Sequence, residues 1–350
     1  MKNKGFILSL SLFSAFLSSC STDVELYADY KDVAIVYAMI NPKADTNFVK
    51  IVRAFCGSND DPINANEVAL IADSSNYPGK LDARIIERKS INGGAYEPTG
   101  RVFVLDTMTI HNKELGTFYA PDQKIYYTTE QFNTDSDGKK YRYELIVVKP
   151  DGNALSAVTG MVGSEEFAIL SSSTNFQLAP SNALGKITFK ADGAAALYDV
   201  RVQFNYREQH SGQAVEWKNV SRSFGTQPIE EFPCYMGNTY YLEYSVNWLF
   251  NALGNAIGAD TVINPNHPNV VRYMDDFVVS ISAGGQELYY YYAATQSQQN
   301  SPVSLISSYT NIQGGYGLFS SRTTISKSLS LSAAAKRDLF SVSSWGFKED

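Results

Sequence analysis

Apolar and polar residues alternate along most of the chain, which predicts β-strands. In the first half, residues 32–40 (DVAIVYAMI) and 48–56 (FVKIVRAFC) are two such segments, and the turn-rich residues 41–45 (NPKAD) join them into a hairpin. Residues 141–148 (YRYELIVV) place two Tyr, a Leu and a Val on one face before a Pro-Asp-Gly turn. The first half is therefore predicted to be mostly sheet.

The second half resumes the alternation and adds helices. Strands are predicted at residues 186–190, at 198–206 (YDVRVQFNY) and at 277–283 (FVVSISA). Three helices are expected: one inside residues 240–256, one over 286–292, and a short one that opens at Ser332, whose side chain can serve as the N-cap. The pattern as a whole predicts a mainly β protein with a few inserted helices.

Ser, Asn, Gly and Pro interrupt the alternation between the two halves. Residues 162–184 (VGSEEFAILSSSTNFQLAPSNAL) carry this interruption and are the candidate linker. We therefore predict an N-terminal β domain at 32–163, a linker at 164–184, and a C-terminal β-rich domain with short helices at 185–350.

The chain begins with two lysines and an uncharged apolar run, residues 6–16, that ends before Leu17-Ser18-Ser19-Cys20. As a helix this run would be roughly 17 Å long, short of the ~30 Å hydrocarbon core of a bilayer. A basic start and a short apolar stretch are typical of a signal peptide, predicted at 1–19 with a lipidated tether at 20–31. The Leu-Ser-Ser-Cys motif resembles the lipobox of bacterial lipoproteins, which implies that Cys20 is acylated and becomes the first residue. The alternative is an ordinary buried cysteine in a first helix.

Composition narrows the partners. The 350 residues carry a net charge of −7 and are 44% hydrophobic, which is enough for two packed domains. Nucleic acid is excluded as a partner, because phosphate binding needs clustered Lys and Arg. The 23 Tyr and 19 Phe suit half-buried sheet surfaces, although they could also form a platform on which sugars stack.

The residues that usually carry catalysis are scattered. His111, His210 and His267 lie far apart, and no metal-binding pair or nucleophile motif accompanies them. Cys56 and Cys234 are interpreted either as a cross-link or, preferably, as two small buried hydrophobes. Neighbouring carboxylates occur at 165–166, 230–231 and 275–276, but adjacent residues on a strand point to opposite faces and are expected to be solvated. We assign no catalytic residue, no metal ligand and no cofactor.

One polar stretch matches a calcium loop in part. Residues 133–138 (NTDSDG) and Glu144 supply oxygens at the first, third, fifth and twelfth ligand positions, with a glycine at the sixth. The first ligand is Asn133, and the flanks are predicted to be strands where an EF-hand has helices. The interpretation adopted is a metal-free hairpin with an Asp-Gly tip.

Several stretches resemble uncharacterised surface lipoproteins of Bacteroidota: residues 33–57, 143–145 with 150–152 and 156–159, the Asn-Ile-Gln-Gly-Gly-Tyr-Gly-Leu-Phe run at 311–319, and the closing Trp-Gly-Phe at 345–347. The resemblance implies an outer-membrane lipoprotein with an N-terminal immunoglobulin- or transthyretin-like β-sandwich, often found with TonB-dependent transporters. That family has no established catalytic residues that could be assigned to this chain. The glycines of the 311–319 run match no phosphate-binding loop and are predicted to adopt positive φ or to allow close backbone contact.

Two classes of function follow from these observations. The first is an outer-membrane lipoprotein, at the periplasmic or cell-surface face, that binds a ligand or assists a TonB-dependent transporter without catalysis. The second is a surface hydrolase of glycan or peptide, whose carboxylates would have to be brought together by the fold.

Overall fold

The structure is a computed structural model that describes residues 32–54, 69–71, 75–116, 119–120, 122–179, 181–257, 270–299 and 309–349. The signal peptide, Cys20 and the tether predicted at 20–31 lie outside these residues, as do Cys56 and His267.

The described residues form eighteen strands and three α-helices, and the chain is mainly β as predicted. The strands are β1 Ala34–Ile40, β2 Asn47–Arg53, β3 Asp82–Ser90, β4 Tyr96–Val104, β5 Asp106–Ile110, β6 Gln123–Thr128, β7 Tyr141–Val148, β8 Ala154–Gly160, β9 Ala168–Ile169, β10 Ser173–Thr174, β11 Leu184–Lys190, β12 Ala195–His210, β13 Glu216–Pro228, β14 Cys234–Met236, β15 Thr239–Ser245, β16 Val270–Gly285, β17 Tyr316–Leu331 and β18 Phe347–Lys348. The helices are α1 Trp248–Ile257, α2 Gln286–Gln299 and α3 Ala333–Ser341.

One large sheet of ten strands runs through both halves of the chain, in the order β13-β12-β16-β17-β1-β2-β6-β5, with β10 beside β17 and β18 beside β16. The predicted hairpin of the first two strands is confirmed, since β1 and β2 pair antiparallel with Ala38 opposite Val49. At its centre β1 pairs in parallel with β17, placing Tyr37 beside Leu318. Strands from the two ends of the described chain thus meet in the middle of one sheet.

Two smaller sheets cover the large one. The sheet β4-β3-β7-β8 shares a core with β1 and β2, in which Val36, Ile85 and Tyr143 are buried together. The sheet β14-β15-β11-β9 shares a second core with β12, β16 and helices α1 and α3, where Phe189 and Leu249 are buried. The inward residues alternate with outward ones along each strand, which explains the period of two in the sequence.

The three predicted helices are present, with shifted bounds. Only the second part of residues 240–256 is helical, because Leu242 and Tyr244 point inward from β15, which pairs with β11. Helix α2 begins at Gln286 as expected and extends to Gln299. Ser332 caps α3 by accepting a hydrogen bond from the backbone N–H of Ala335, so that prediction is confirmed. None of the helices in the described part of the chain has both the length and the apolar character that a membrane crossing requires.

The segment predicted as a linker, 164–184, contains β9 and β10 and buries Phe167 and Phe176. The domain division itself stays a prediction.

The predicted hairpin at residues 133–144 is wrong. The preceding strand, β6, pairs with β2 and β5, whereas β7 pairs with β3 and β8, so the polar stretch connects two different sheets.

The glycine-rich run at 311–319 holds the small sheet to the large one. Gln313 pairs with Ser156 on the edge strand β8, and the Asn311 side chain bonds to both the N–H and the C=O of Phe319. Gly314 and Gly317 have φ of +79° and +114°, and a Cβ at Gly317 would overlap the backbone of Val36. The prediction of positive φ and close backbone contact is confirmed.

Candidate ligand-binding cleft

A polar cleft of about 380 Å³ opens where the small sheet β4-β3-β7-β8 meets helix α2 and the loop before β12. We call it the Glu287 cleft; Tyr96, Lys139, Tyr141, Arg142, Gln286 and Glu287 supply its main functional side chains. Of its lining residues, Tyr141 packs against one hydrophobic core and Ala194 against the other, and ligand sites are frequent at such junctions.

The cationic wall of the cleft comes from the small sheet. The guanidinium carbon of Arg142 on β7 lies 4.2 Å from the ring centre of Tyr96 on β4. The Tyr96 hydroxyl donates to the carbonyl of Lys139 at 2.6 Å, which fixes the ring. Stacking on an aromatic ring holds the planar guanidinium in place, so its N–H donors are oriented before any ligand arrives. Lys139 adds a second positive charge and forms a 3.7 Å ion pair with Asp137.

The acidic side chain of the cleft is Glu287, in the first turn of α2. Its Oε2 accepts a hydrogen bond from Thr159 at 2.7 Å and a longer one from Ser320 at 3.4 Å. Thr159 and Ser320 are buried, so both donors are shielded from water. Gly284 and Gly285 precede the helix, and a Cβ at Gly285 would lie 3.0 Å from the Ser320 hydroxyl oxygen. The two glycines let β16 turn into the helix close to the sheet, which brings Glu287 against Thr159.

Burial raises the pKa of Glu287 above the ordinary glutamate value. The hydrogen bonds from Thr159 and Ser320, its own backbone N–H and the charge of Arg142 act in the opposite direction but do not cancel the effect. The Tyr309 hydroxyl has a raised pKa as well, because of burial and the nearby charge of Glu287. The carboxyl group of Glu287 therefore keeps its proton to a higher pH than a solvated glutamate does.

This arrangement suits recognition of a polar ligand. Arg142 and Lys139 are donors with positive charge, Glu287 accepts or donates according to its protonation state, and the cleft is walled by two tyrosines. Among the described residues that line the cleft, Glu287 alone has a carboxyl group. Glycoside hydrolysis generally needs two carboxyl groups roughly 5–10 Å apart, so this lining meets only half of that requirement.

The residues singled out in the sequence do not converge on the cleft. His111 pairs with Asp122 at 2.6 Å on the surface, and His210 lies 3.0 Å from Glu208 at the end of β12. Cys234 was expected to be buried, but it is exposed. The reason is that the short strand β14 forms the edge of its sheet and all three of its residues face solvent.

The paired carboxylates are separated as well. Only the pair at 275–276 lies on a strand, where Asp276 bonds to Asn205 and Ser328. The pair at 165–166 lies in a turn and the pair at 230–231 in a short 3-10 helix, so the strand geometry expected for them is wrong. Both residues of the 230–231 pair are exposed.

The partial calcium loop uses its oxygens within the protein. Asp135 accepts backbone hydrogen bonds from Lys139 and Lys140, and Glu144 accepts two from Arg88. The Asn133 amide donates to Glu87. Within the described ranges, no group of three or more His, Cys, Asp or Glu side chains is placed to hold a metal ion.

No protein-family model matches the chain, and no curated protein matches it either. Among solved structures, a chain of a cytokine receptor complex is 12% identical, with 85% of this chain and 98% of that chain covered and a TM-score of 0.21. CBD12 from CALX1.2 is 11% identical, with 78% of this chain and 90% of that chain covered and a TM-score of 0.17. Likenesses this weak carry no argument about function.

Proposed function

We propose that this chain is a lipid-anchored, non-catalytic binding protein of the outer membrane that holds a polar ligand in the Glu287 cleft, acting beside a TonB-dependent transporter. The leader, the lipobox-like motif at Cys20 and the resemblance to surface lipoproteins support the anchor and the partner. The stacked Arg142 beside the half-buried Glu287 is the observation that supports the binding site.

The ligand class follows from the charges of the cleft. Two cationic side chains and one carboxyl group favour a molecule with several hydroxyl groups and at least one negative charge, such as an acidic oligosaccharide. Calorimetric titration with oligogalacturonate and with an uncharged glucose oligomer of the same length tests this. Arg142→Met should weaken binding of the charged oligomer by about tenfold or more. Arg222→Met is the matched control, since Arg222 also stacks on an aromatic ring, that of Phe224, outside the cleft. Equal binding by the Arg142 variant and the parent would refute the ligand class.

A surface hydrolase is the second candidate, and the raised pKa of Glu287 is the observation that favours it, because a general acid needs a protonated carboxyl group. Assays of turnover against glycan and peptide libraries distinguish the binding protein from the hydrolase. The control is Glu243→Gln, a change on the exposed face of β15. Turnover that is lost in Glu287→Gln and retained in this control would show that the protein is a hydrolase. Binding without turnover, together with recovery of a transporter from solubilised outer membranes, supports the first function.

A further inference from the structure

A second cavity, of about 430 Å³, opens beside β1 and β2 and is apolar for most of its surface. Ile35 and Val52 come from the two strands, Ala54 follows β2, and Tyr119 comes from the segment between β5 and β6. We call it the Lys50 pocket, after the cation at its wall. Its volume lies within the range of about 300–1,000 Å³ that is usual for small-molecule sites.

Lys50 is half-buried in this apolar setting. Its ammonium group donates to Gln123 Oε1 at 3.0 Å and to the carbonyl of Lys124 at 3.3 Å. Both acceptors are neutral, and in the part of the chain that the structure describes no carboxylate forms an ion pair with Lys50. An ammonium group has three N–H donors, so one donor and the full charge are available to a ligand. A buried charge without an opposite charge is costly, and an anion would offset that cost.

The other charged groups at the pocket are mostly positive as well. Lys113 and Arg53 are lining residues, and Lys113 donates to the carbonyl of Tyr119 at 2.6 Å. Burial lowers the pKa of Lys50, and the charge of Lys113 lowers it further. Asp122 is the acidic lining residue, and its Oδ1 already contacts His111 Nδ1 at 2.6 Å. The pocket therefore combines apolar walls with the half-buried ammonium group of Lys50.

We infer that the Lys50 pocket binds an amphipathic anion, a carboxylate or comparable acidic group attached to an apolar chain. The acidic group pairs with Lys50, and the chain covers Ile35, Val52 and Tyr119. Neither part is sufficient alone: a small anion would leave the apolar walls exposed to water, and a neutral chain would leave the ammonium unpaired. This site is separate from the Glu287 cleft, so the inference does not depend on the proposed function.

Calorimetric titration of the purified full chain with decanoate tests the inference, with decanol and acetate as probes that lack the charge or the chain. Decanoate should bind at least about tenfold more tightly than decanol, the difference expected for a charge-assisted hydrogen bond. It should also bind at least about tenfold more tightly than acetate, which cannot cover the apolar walls. Lys50→Met should abolish the preference for decanoate over decanol, whereas Lys186→Met, which removes the same charge from the distant strand β11, should keep it. Decanoate binding that is unchanged in Lys50→Met would overturn the inference, as would equal binding of decanol.

Val52→Phe provides a second variant that keeps Lys50 and reduces the space for the chain. It should weaken decanoate binding without lowering the melting temperature, and unchanged binding in a folded variant would count against the pocket. Anionic phospholipid vesicles then distinguish the two sources of such a ligand. Competition with decanoate indicates a lipid headgroup with its chain, whereas absence of competition indicates a free fatty acid; both results keep the anionic amphiphile.

Discussion

Glu208 and Arg272 form an ion pair in the interior of the protein, with 2.6 Å between Glu208 Oε2 and Arg272 Nε. Glu208 lies on β12 and Arg272 on β16, and their exposed fractions are 2% and 1%. Arg272 also donates to the carbonyl of Trp345, and its backbone N–H bonds to Gly346. The pair therefore connects two long strands of the large sheet with the C-terminal segment.

Removing Arg272 should be destabilising, because the buried carboxylate of Glu208 would lose its buried partner and keep only the more exposed Lys218 and His210. Arg272→Met is expected to lower the free energy of unfolding by about 3 kcal/mol in urea denaturation, the lower end of the range for a broken buried pair, because Lys218 still compensates part of the Glu208 charge. The double variant Glu208→Gln/Arg272→Met should recover part of the loss, since neither buried charge remains. A double variant that loses the full sum of the two single changes would contradict this explanation.

The Glu208–Arg272 ion pair should also make the stability of the fold depend on pH. Burial alone raises the pKa of Glu208, but hydrogen bonds from Lys218 and Arg272 outweigh it and hold the pKa below the ordinary value. A depressed carboxyl pKa stabilises the fold above the unfolded-state pKa, and this contribution is lost as the pH falls through the folded-state pKa. Urea midpoints below pH 4.5 should therefore fall more steeply for the parent than for Glu208→Gln.

Substitutions at Gly317 and Gly212 test whether stability depends on the positive φ alone or also on the close contact that a Cβ would disturb. Both have positive φ, but a Cβ at Gly317 would overlap Val36, whereas nothing lies within 4 Å of one at Gly212. Gly212→Ala should cost about 1–2 kcal/mol of stability, the usual penalty for a left-handed L-residue. Gly317→Ala should cost more, because β17 must also move away from β1. Thermal unfolding of both variants checks this, and equal melting temperatures would show that the close contact is unimportant.

The sequence predicts individual strands well and their partners poorly. The bounds of β7 equal the predicted 141–148, since the alternation and the Pro-Asp-Gly turn are local signals. Parallel pairing of β1 with β17 joins residues nearly 300 positions apart along the chain, and no local pattern records it. The Glu287 cleft was missed for the same reason, because Thr159, Glu287 and Ser320 come from three distant segments. The available signal was an acidic residue two positions after Gly284-Gly285, in the first turn of a helix.

Asp151 should remain ionised to an unusually low pH. Hydrogen bonds from the backbone and side chain of Asn153, together with Lys149, lower the pKa of Asp151 to about 2. Its stabilising contribution is present above the unfolded-state pKa and is lost as the pH falls toward 2. Carbon-detected NMR titration should show the low pKa, and Asn153→Ala should raise it. Asp106, whose low pKa depends first on Lys80, is the internal control and should not change.

Cys20 is predicted to carry lipid. Cys20→Ala removes the thiol to which the lipid would be attached, so it should abolish labelling by a fatty-acid analogue. Without the two or more acyl chains that a stable anchor needs, the protein should also move from the membrane fraction to the soluble fraction. Cys234→Ala, a change at an exposed cysteine, should leave both properties intact. Labelling that persists in Cys20→Ala would rule out this attachment site.

Glu287 should make the protein less stable as the pH rises. Its raised pKa means that the folded state binds a proton more tightly than the unfolded chain, whose glutamate titrates near 4.5. Stability should therefore decrease as the pH rises from the unfolded-state value through the folded-state pKa. Glu287→Gln keeps the shape and cannot ionise, so its urea midpoint should lack this decrease, whereas Glu243→Gln on the exposed face of β15 should retain it.

A negatively charged ligand in the cleft would raise the pKa of Glu287 further, because it brings a second negative charge close to the carboxylate. Proton uptake on binding of oligogalacturonate, measured by titration in buffers of different ionisation enthalpy, should accordingly disappear in Glu287→Gln; uptake that persists there would place the titrating group elsewhere.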